Sequence, residues 1–167
     1  MRATIAFFTR TQRSEQVARA IEHELEARGV AVELFRLRPV RGTTLLGGAL
    51  LGILRLPAGL MESPTLEDVD MLALVGPVWA GSMAPAMRSL LEALPDLDGR
   101  PVLNIVCGFH TCSGVAARME RELQTRDAGR VASRAIGRPV VRDAQRVAKI
   151  AREVCTLILG PPRERST

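Results

Sequence analysis

The first candidate for ligand chemistry is a polar segment of six residues, Thr9-Arg10-Thr11-Gln12-Arg13-Ser14. It contains three hydroxyl and two guanidinium side chains and lies directly before a helical pattern. The N-terminus of a helix offers free N–H groups and the positive end of a dipole, which together suit a phosphate. The alternative is that Thr11 or Ser14 caps the helix and binds no ligand.

Two further candidates are segments that contain glycine: Gly76-Pro77-Val78-Trp79-Ala80-Gly81-Ser82 and Cys107-Gly108-Phe109-His110-Thr111-Cys112-Ser113-Gly114. Small residues in each segment would let a ligand approach the backbone closely. Trp79, the only tryptophan of the chain, and Phe109 offer flat apolar faces for a planar heterocycle. The alternative for Trp79 is that it packs beneath a neighbouring loop.

The histidine and cysteines of the third segment do not indicate catalysis by themselves. His110 has no evident carboxylate partner, so it is not assigned as a general base. Cys107 and Cys112 do not have the usual spacing of a redox dithiol. We expect Cys107 to be buried at a strand end and Cys112 to lie at a helix start. No catalytic residue and no metal site are assigned from the sequence.

Apolar segments and helical patterns alternate along the chain and would position these candidates. Strands are predicted at residues 4–8, 30–35, 71–75, 101–106 and 131–136. Helices are predicted from Val17 to a C-terminal Gly29 and at residues 84–94, 115–124 and 143–159. Such alternation is typical of an α/β fold with a parallel sheet. Ligands bind at the carboxyl ends of such strands, where the three candidate segments would meet.

Composition and charge exclude several classes of protein. The 167 residues suit one domain, and 47% hydrophobic with 25% charged residues exclude a disordered chain. The net charge of +5 comes from interleaved basic and acidic residues, and the chain has no tyrosine, so nucleic-acid binding is not expected. Three cysteines are too few for a disulfide scaffold and favour a reducing, cytoplasmic location.

Residues 41–63 form an insert rich in glycine and leucine without a clear period. We expect this insert to cover a sheet edge or a pocket, and a hairpin that contacts a partner or a membrane is the alternative. Its glycines, Pro57 and Arg55 do not suit a stable membrane span, and none is predicted. Residues 1–160 are predicted to be a single domain that contains the insert, followed by a polar tail at 161–167.

Together these motifs resemble the flavodoxin-like family of FMN-binding proteins. Residues 9–14 resemble the family's phosphate-binding loop, T/S-x-T-G-x-T, and residues 76–85 resemble its flavin loop in the form PVWAG. Cys107-Gly108-Phe109 corresponds to the loop beside the isoalloxazine ring. The resemblance covers nearly the whole chain. It implies a three-layer α/β sandwich with a five-stranded parallel sheet in the order 2-1-3-4-5.

The same resemblance implies that FMN is the cofactor. Its phosphate would lie on Thr9, Thr11, Ser14 and the backbone N–H groups of Arg10, Gln12 and Arg13. Its ring would lie beside Pro77, Val78, Trp79, Ala80 and Gly81 on one side and Cys107, Gly108 and Phe109 on the other. The expected function is electron transfer, either as a carrier for a redox partner protein or as a small NAD(P)H-dependent reductase, so enzymatic activity and a homodimer are left open.

The sequence departs from the family pattern at Gln12, which replaces the loop glycine, and in having no tyrosine to stack on the ring. The surface is also basic, whereas electron-carrying flavodoxins are typically acidic. The alternative is therefore a binding module of the same fold that has lost FMN and uses the insert for contacts. A response-regulator receiver would need an acidic cluster at the strand ends, and the sequence has none there.

Overall fold

The structure is a computed structural model that describes residues 1–40, 56–109 and 112–161. Its parallel sheet consists of five strands: β1 (Arg2–Phe7), β2 (Ala31–Arg36), β3 (Met71–Trp79), β5 (Val102–Gly108) and β6 (Val131–Gly137). They lie in the order β2-β1-β3-β5-β6. A two-residue strand, β4 (Ser82–Met83), pairs antiparallel with the end of β3. The predicted order 2-1-3-4-5 is confirmed for the parallel strands.

Helices cover both faces of the sheet: α1 (Arg13–Ala27), α2 (Pro85–Ala93), α3 (Ser113–Gln124), α4 (Arg138–Val141) and α5 (Ala144–Leu159). One buried core contains Ile21 of α1 and Val154 of α5. A second core contains Leu90 of α2 and Met119 of α3. The central strands are mainly apolar because both of their faces are covered, with Thr4 and Asn104 as buried polar exceptions. This arrangement confirms the predicted three-layer sandwich.

The first helix ends where the sequence predicted. Gly29 has φ +78°, the left-handed conformation that glycine adopts without steric cost. The N–H of Val30 donates to the carbonyl oxygen of Leu25 at 3.1 Å, as in a Schellman motif. One residue earlier, the Arg28 side chain pairs with Glu24 at 2.7 Å and donates to the carbonyl oxygen of Gly160. Arg28 thereby ties α1 to the end of α5.

The third strand is longer than predicted, and the predicted loop at residues 76–82 is largely a β-hairpin. Trp79 pairs with Ser82 across a turn in which Ala80 and Gly81 have φ +47° and +73°. Two consecutive positive φ values are typical of a type I′ turn, which matches the twist of paired strands. Gly76 therefore lies inside a strand.

The glycine at position 76 serves helix packing rather than ligand approach. A Cβ atom at Gly76 would lie 2.5 Å from Cγ of Met87 in α2, so the side chain of Met87 occupies that space. The proline that follows the hairpin, Pro85, is the first residue of α2, which lies within the helix predicted at residues 84–94.

Some predictions lie outside the described residues. These are residues 41–55 of the predicted insert, His110 and Thr111, and the tail from 162 onward. Beside the insert, Pro39 and Leu60 form an antiparallel bridge. Within the described ranges, no helix is both long and apolar enough to cross a membrane.

Candidate functional site

The three predicted segments meet at one cavity of about 590 Å³ at the carboxyl edge of the sheet. Twelve of the fourteen predicted site residues line it: Thr9, Arg10, Thr11, Arg13, Ser14, Pro77, Val78, Trp79, Ala80, Cys107, Gly108 and Phe109. Gln12 and Gly81 do not line it, whereas Arg138 and Val141, which were not predicted, do. The volume lies within the range of about 300–1,000 Å³ that is usual for small-molecule sites.

The segment between β1 and α1 presents an open helix N-terminus to this cavity. Gln12 is the N-cap residue of α1, and no side chain forms a capping hydrogen bond there. The alternative that Thr11 or Ser14 caps the helix is therefore wrong. The N–H groups of the first helical turn have no acceptor within the helix, so they can donate to an anion.

The backbone at Gln12 has the geometry that a glycine would favour. Its φ of +62° and ψ of −4° lie in the left-handed region. An L-residue with a Cβ atom is disfavoured there by about 1–2 kcal/mol. The loop thus keeps the conformation implied by the family motif although the glycine itself is absent.

Two residues behind the loop share a buried hydrogen bond. Ser14 is 2% exposed, and its hydroxyl bonds to the thiol of Cys107 at the end of β5. Burial raises the pKa of Cys107 to about 12, and the bond from Ser14 lowers that pKa only in part. Cys107 is therefore a neutral thiol near neutral pH and not a nucleophile, since only a thiolate acts as one.

The two cysteines of the third segment lie on opposite faces of the sheet. Cys107 belongs to the core beside α1 and α5, and Cys112 belongs to the core beside α2 and α3. Cys112 is also the N-cap residue of α3. The predicted positions, a buried strand end and a helix start, are confirmed for both residues.

Aromatic side chains form much of the cavity wall. The ring of Trp79 meets Phe8 edge-on, with 5.6 Å between the centroids and 68° between the planes. Trp79 is half-buried and also lines the cavity, while Phe109 is 62% exposed at its edge. Gly108 leaves room for the sulfur of Cys112, which would collide with a Cβ atom there. These walls can hold a flat apolar group.

The charge lining the cavity is positive. Three guanidinium groups, those of Arg10, Arg13 and Arg138, line it, and no acidic residue is among its described lining residues. The guanidinium of Arg10 lies 5.6 Å from the centroid of Trp79. Arg13 and Arg138 lie 6.0 Å and 4.7 Å from the centroid of Phe109. The site therefore suits a ligand that is both aromatic and anionic.

Arg138 follows the fifth predicted strand, where no hydroxyl-rich segment indicates a site. The strand β6 ends at Gly137, and Pro139 lies in the first turn of the next helix, α4. Proline in that position is a signal for a helix start. A helix start at the carboxyl edge of the sheet would have indicated Arg138 as a further candidate.

The sequence also matches the family model described as NADPH-dependent FMN reductase over residues 8–151. The chain belongs to this family. Among curated proteins, none matches the sequence. As an FMN reductase family protein it has FMN as its cofactor and a redox function.

Solved structures with the same fold include flavoproteins and flavodoxins. A Lactobacillus acidophilus flavoprotein in complex with FMN has TM-score 0.66 and 15% identity, covering 86% of this chain and 98% of its own. A Streptococcus pneumonia flavodoxin has TM-score 0.60 and 15% identity, covering 95% and 100%. Flavodoxin 2 of Bacillus cereus has TM-score 0.60 and 18% identity, covering 93% and 98%. At such identities these similarities concern the fold.

The residues present in this FMN reductase family site fit FMN. The phosphate of FMN carries roughly −1.5 to −2 charge near neutral pH, as other phosphate monoesters do. An uncapped helix N-terminus beside Arg10 and Arg13 offers amide and guanidinium donors for such a group. The aromatic and small residues at the other segments leave an apolar space for a ring system.

Proposed function

We propose that this protein is a flavin reductase that takes hydride from NAD(P)H, rather than an electron carrier alone. The observation that supports it is a second groove of about 470 Å³ beside the main cavity. Val78, Ala80 and Phe109 line both spaces. A reductase needs room for a second planar substrate next to its flavin, and this groove offers such room.

Within the proposal, the main cavity binds FMN through its phosphate and its ring. The amides at the start of α1, together with the hydroxyls of Thr9, Thr11 and Ser14, hold the phosphate. Trp79 and Phe109 cover the ring and exclude water from it. When bound, FMN supplies the hydride- and electron-accepting chemistry, while the protein supplies position and electrostatics.

The adjoining groove binds the nucleotide donor in this proposal. Arg118 lines the groove together with Gly114 near the start of α3. A dinucleotide carries several phosphate charges, and guanidinium groups bind phosphate with paired hydrogen bonds. Arg118 would thus orient the donor at the end of the groove away from the residues that both spaces share.

The donor can be tested directly on the protein loaded with FMN. Mixing with NADPH or NADH without oxygen should bleach the flavin absorbance, and a quinone acceptor should then sustain turnover. Dithionite serves as the control for a reducible flavin. If dithionite bleaches the flavin and neither nucleotide does, the reductase proposal is wrong and a carrier function remains.

Arg118 provides a second, independent test of the groove. We expect Arg118→Met to raise the KM for NADPH roughly tenfold, as the loss of one charged hydrogen bond to phosphate would, with the affinity for FMN unchanged. Arg121→Met, an exposed position on the same helix, is the matched control. If the KM for NADPH is equal in Arg118→Met and Arg121→Met, the nucleotide donor does not bind in this groove.

We also propose a cytoplasmic location. Cys107 and Cys155 are buried thiols with no disulfide partner in the described structure. A reducing compartment keeps such thiols reduced.

A further inference from the structure

Arg138 occupies a position that nothing in the phosphate-binding motif accounts for. It is the first residue of α4 and lines the same cavity as Thr9, Arg13 and Ser14, although it follows a different strand. The short helix α4 packs against α1, whose N-terminus faces the cavity. Arg138 therefore approaches the phosphate-binding loop from a second element of the fold.

The guanidinium groups of Arg138 and Arg13 converge on one aromatic ring. They lie 4.7 Å and 6.0 Å from the centroid of Phe109. Arg13 is the first residue of α1, and Arg138 contacts the same ring as Arg13. Arg138 therefore lies close to the open N-terminus of α1. Two cations on one ring repel each other, and a nearby anion offsets this repulsion.

This pair of cations has no counter-charge in the described structure. None of the ion pairs found among the described residues involves Arg13 or Arg138. The Nε atom of Arg138 is buried and has no hydrogen-bond acceptor within the described ranges. The neighbouring Arg142 lowers the pKa of Arg138 most, followed by desolvation and by Arg13, and each of these effects disfavours its charge.

A buried donor on a charged group is costly when it is left unsatisfied. The helix dipole and the guanidinium of Arg13 attract an anion to the same place. An anion from outside the chain would supply the missing acceptor, and a phosphate is the group that fits the loop.

We propose that Arg138 is a ligand of the FMN phosphate, donating to it from α4 while the loop at residues 9–14 donates from α1. Arg138 thereby makes the site selective for FMN over riboflavin, which has the same ring without the phosphate. The inference rests on the proposed placement of the phosphate at this loop.

The test compares the affinities for FMN and riboflavin in Arg138→Met. Methionine keeps an apolar stem beside Phe109 and removes the charge. We expect FMN binding to weaken about 10- to 100-fold, as for a lost hydrogen bond to a charged group, and riboflavin binding to change less than about twofold. Arg138→Lys should retain part of the selectivity, and Arg134→Met on β6, an exposed position, should retain all of it.

A second measurement needs no flavin. Inorganic phosphate should raise the melting temperature of the flavin-free protein, and this rise should be smaller in Arg138→Met. The inference is overturned if Arg138→Met weakens FMN and riboflavin equally, which would place Arg138 at the ring. It is equally overturned if neither affinity changes, which would mean that Arg138 does not bind the phosphate of FMN.

Thr11→Ala distinguishes this inference from the proposed phosphate site on which it rests. A loss of FMN affinity in Thr11→Ala with none in Arg138→Met would overturn the inference alone. Unchanged FMN affinity in both variants would overturn the phosphate placement as well.

Discussion

Replacing Gln12 with glycine should stabilise the protein. Gln12 is exposed and has φ +62°, a conformation that costs an L-residue about 1–2 kcal/mol. Glycine removes this cost but loses about 0.5–1 kcal/mol more conformational entropy on folding. The difference predicts a gain of about 0.5–1 kcal/mol in the free energy of unfolding, which is about 1–4 °C in Tm for a domain of this size.

The matched control is Gln16→Gly, four positions later in α1. Gln16 is also exposed, but it lies inside the helix, where glycine costs about 1 kcal/mol. The same chemical change should therefore have opposite signs at the two positions. Urea unfolding of the flavin-free proteins, followed by the fluorescence of Trp79, measures both effects.

Destabilisation of Gln12→Gly by as much as Gln16→Gly would refute this account of the loop backbone. It would mean that the Gln12 side chain contributes more to stability than its backbone conformation costs. A parallel Gln12→Ala variant separates these effects, because alanine removes the side chain and keeps the Cβ atom that disfavours positive φ.

Three further predictions concern other parts of the fold. Gly76→Ala should lower the free energy of unfolding by about 1–3 kcal/mol because of the contact with α2, whereas Gly114→Ala, which has open space, should be neutral or stabilising in the same thermal scan. Arg28→Met should cost about 1.5–3 kcal/mol in urea unfolding because it breaks a partly buried, hydrogen-bonded pair, against about 0–1 kcal/mol for Arg134→Met at an exposed pair. The pKa of Cys107 is about 12 in the folded protein, so the folded state binds more protons than the unfolded state above about pH 9. Cys107 alone should therefore lower the stability by about 1.4 kcal/mol per pH unit between about pH 9 and 12, and Cys107→Ala should remove that contribution from the slope in unfolding measured at several pH values.

The local sequence was sufficient for the five parallel strands, the four longer helices and most of the cavity. Alternating apolar strands and amphipathic helices indicate a parallel sheet, because each pattern follows from the repeat of its own element. Since parallel strands place their carboxyl ends on one edge, the segments around Thr9, Trp79 and Phe109 could be assigned to one site. Glycine at position 29 and proline at position 85 marked helix ends through their own backbone preferences.

Contacts between distant residues were decided by the tertiary structure alone. The role of Gly76 depends on Met87, and the neutral thiol of Cys107 depends on its burial. The cationic pair of Arg13 and Arg138 exists only because β6 ends at the same edge as β1. Such features require the positions of residues far apart in the chain, and no local pattern contains that information.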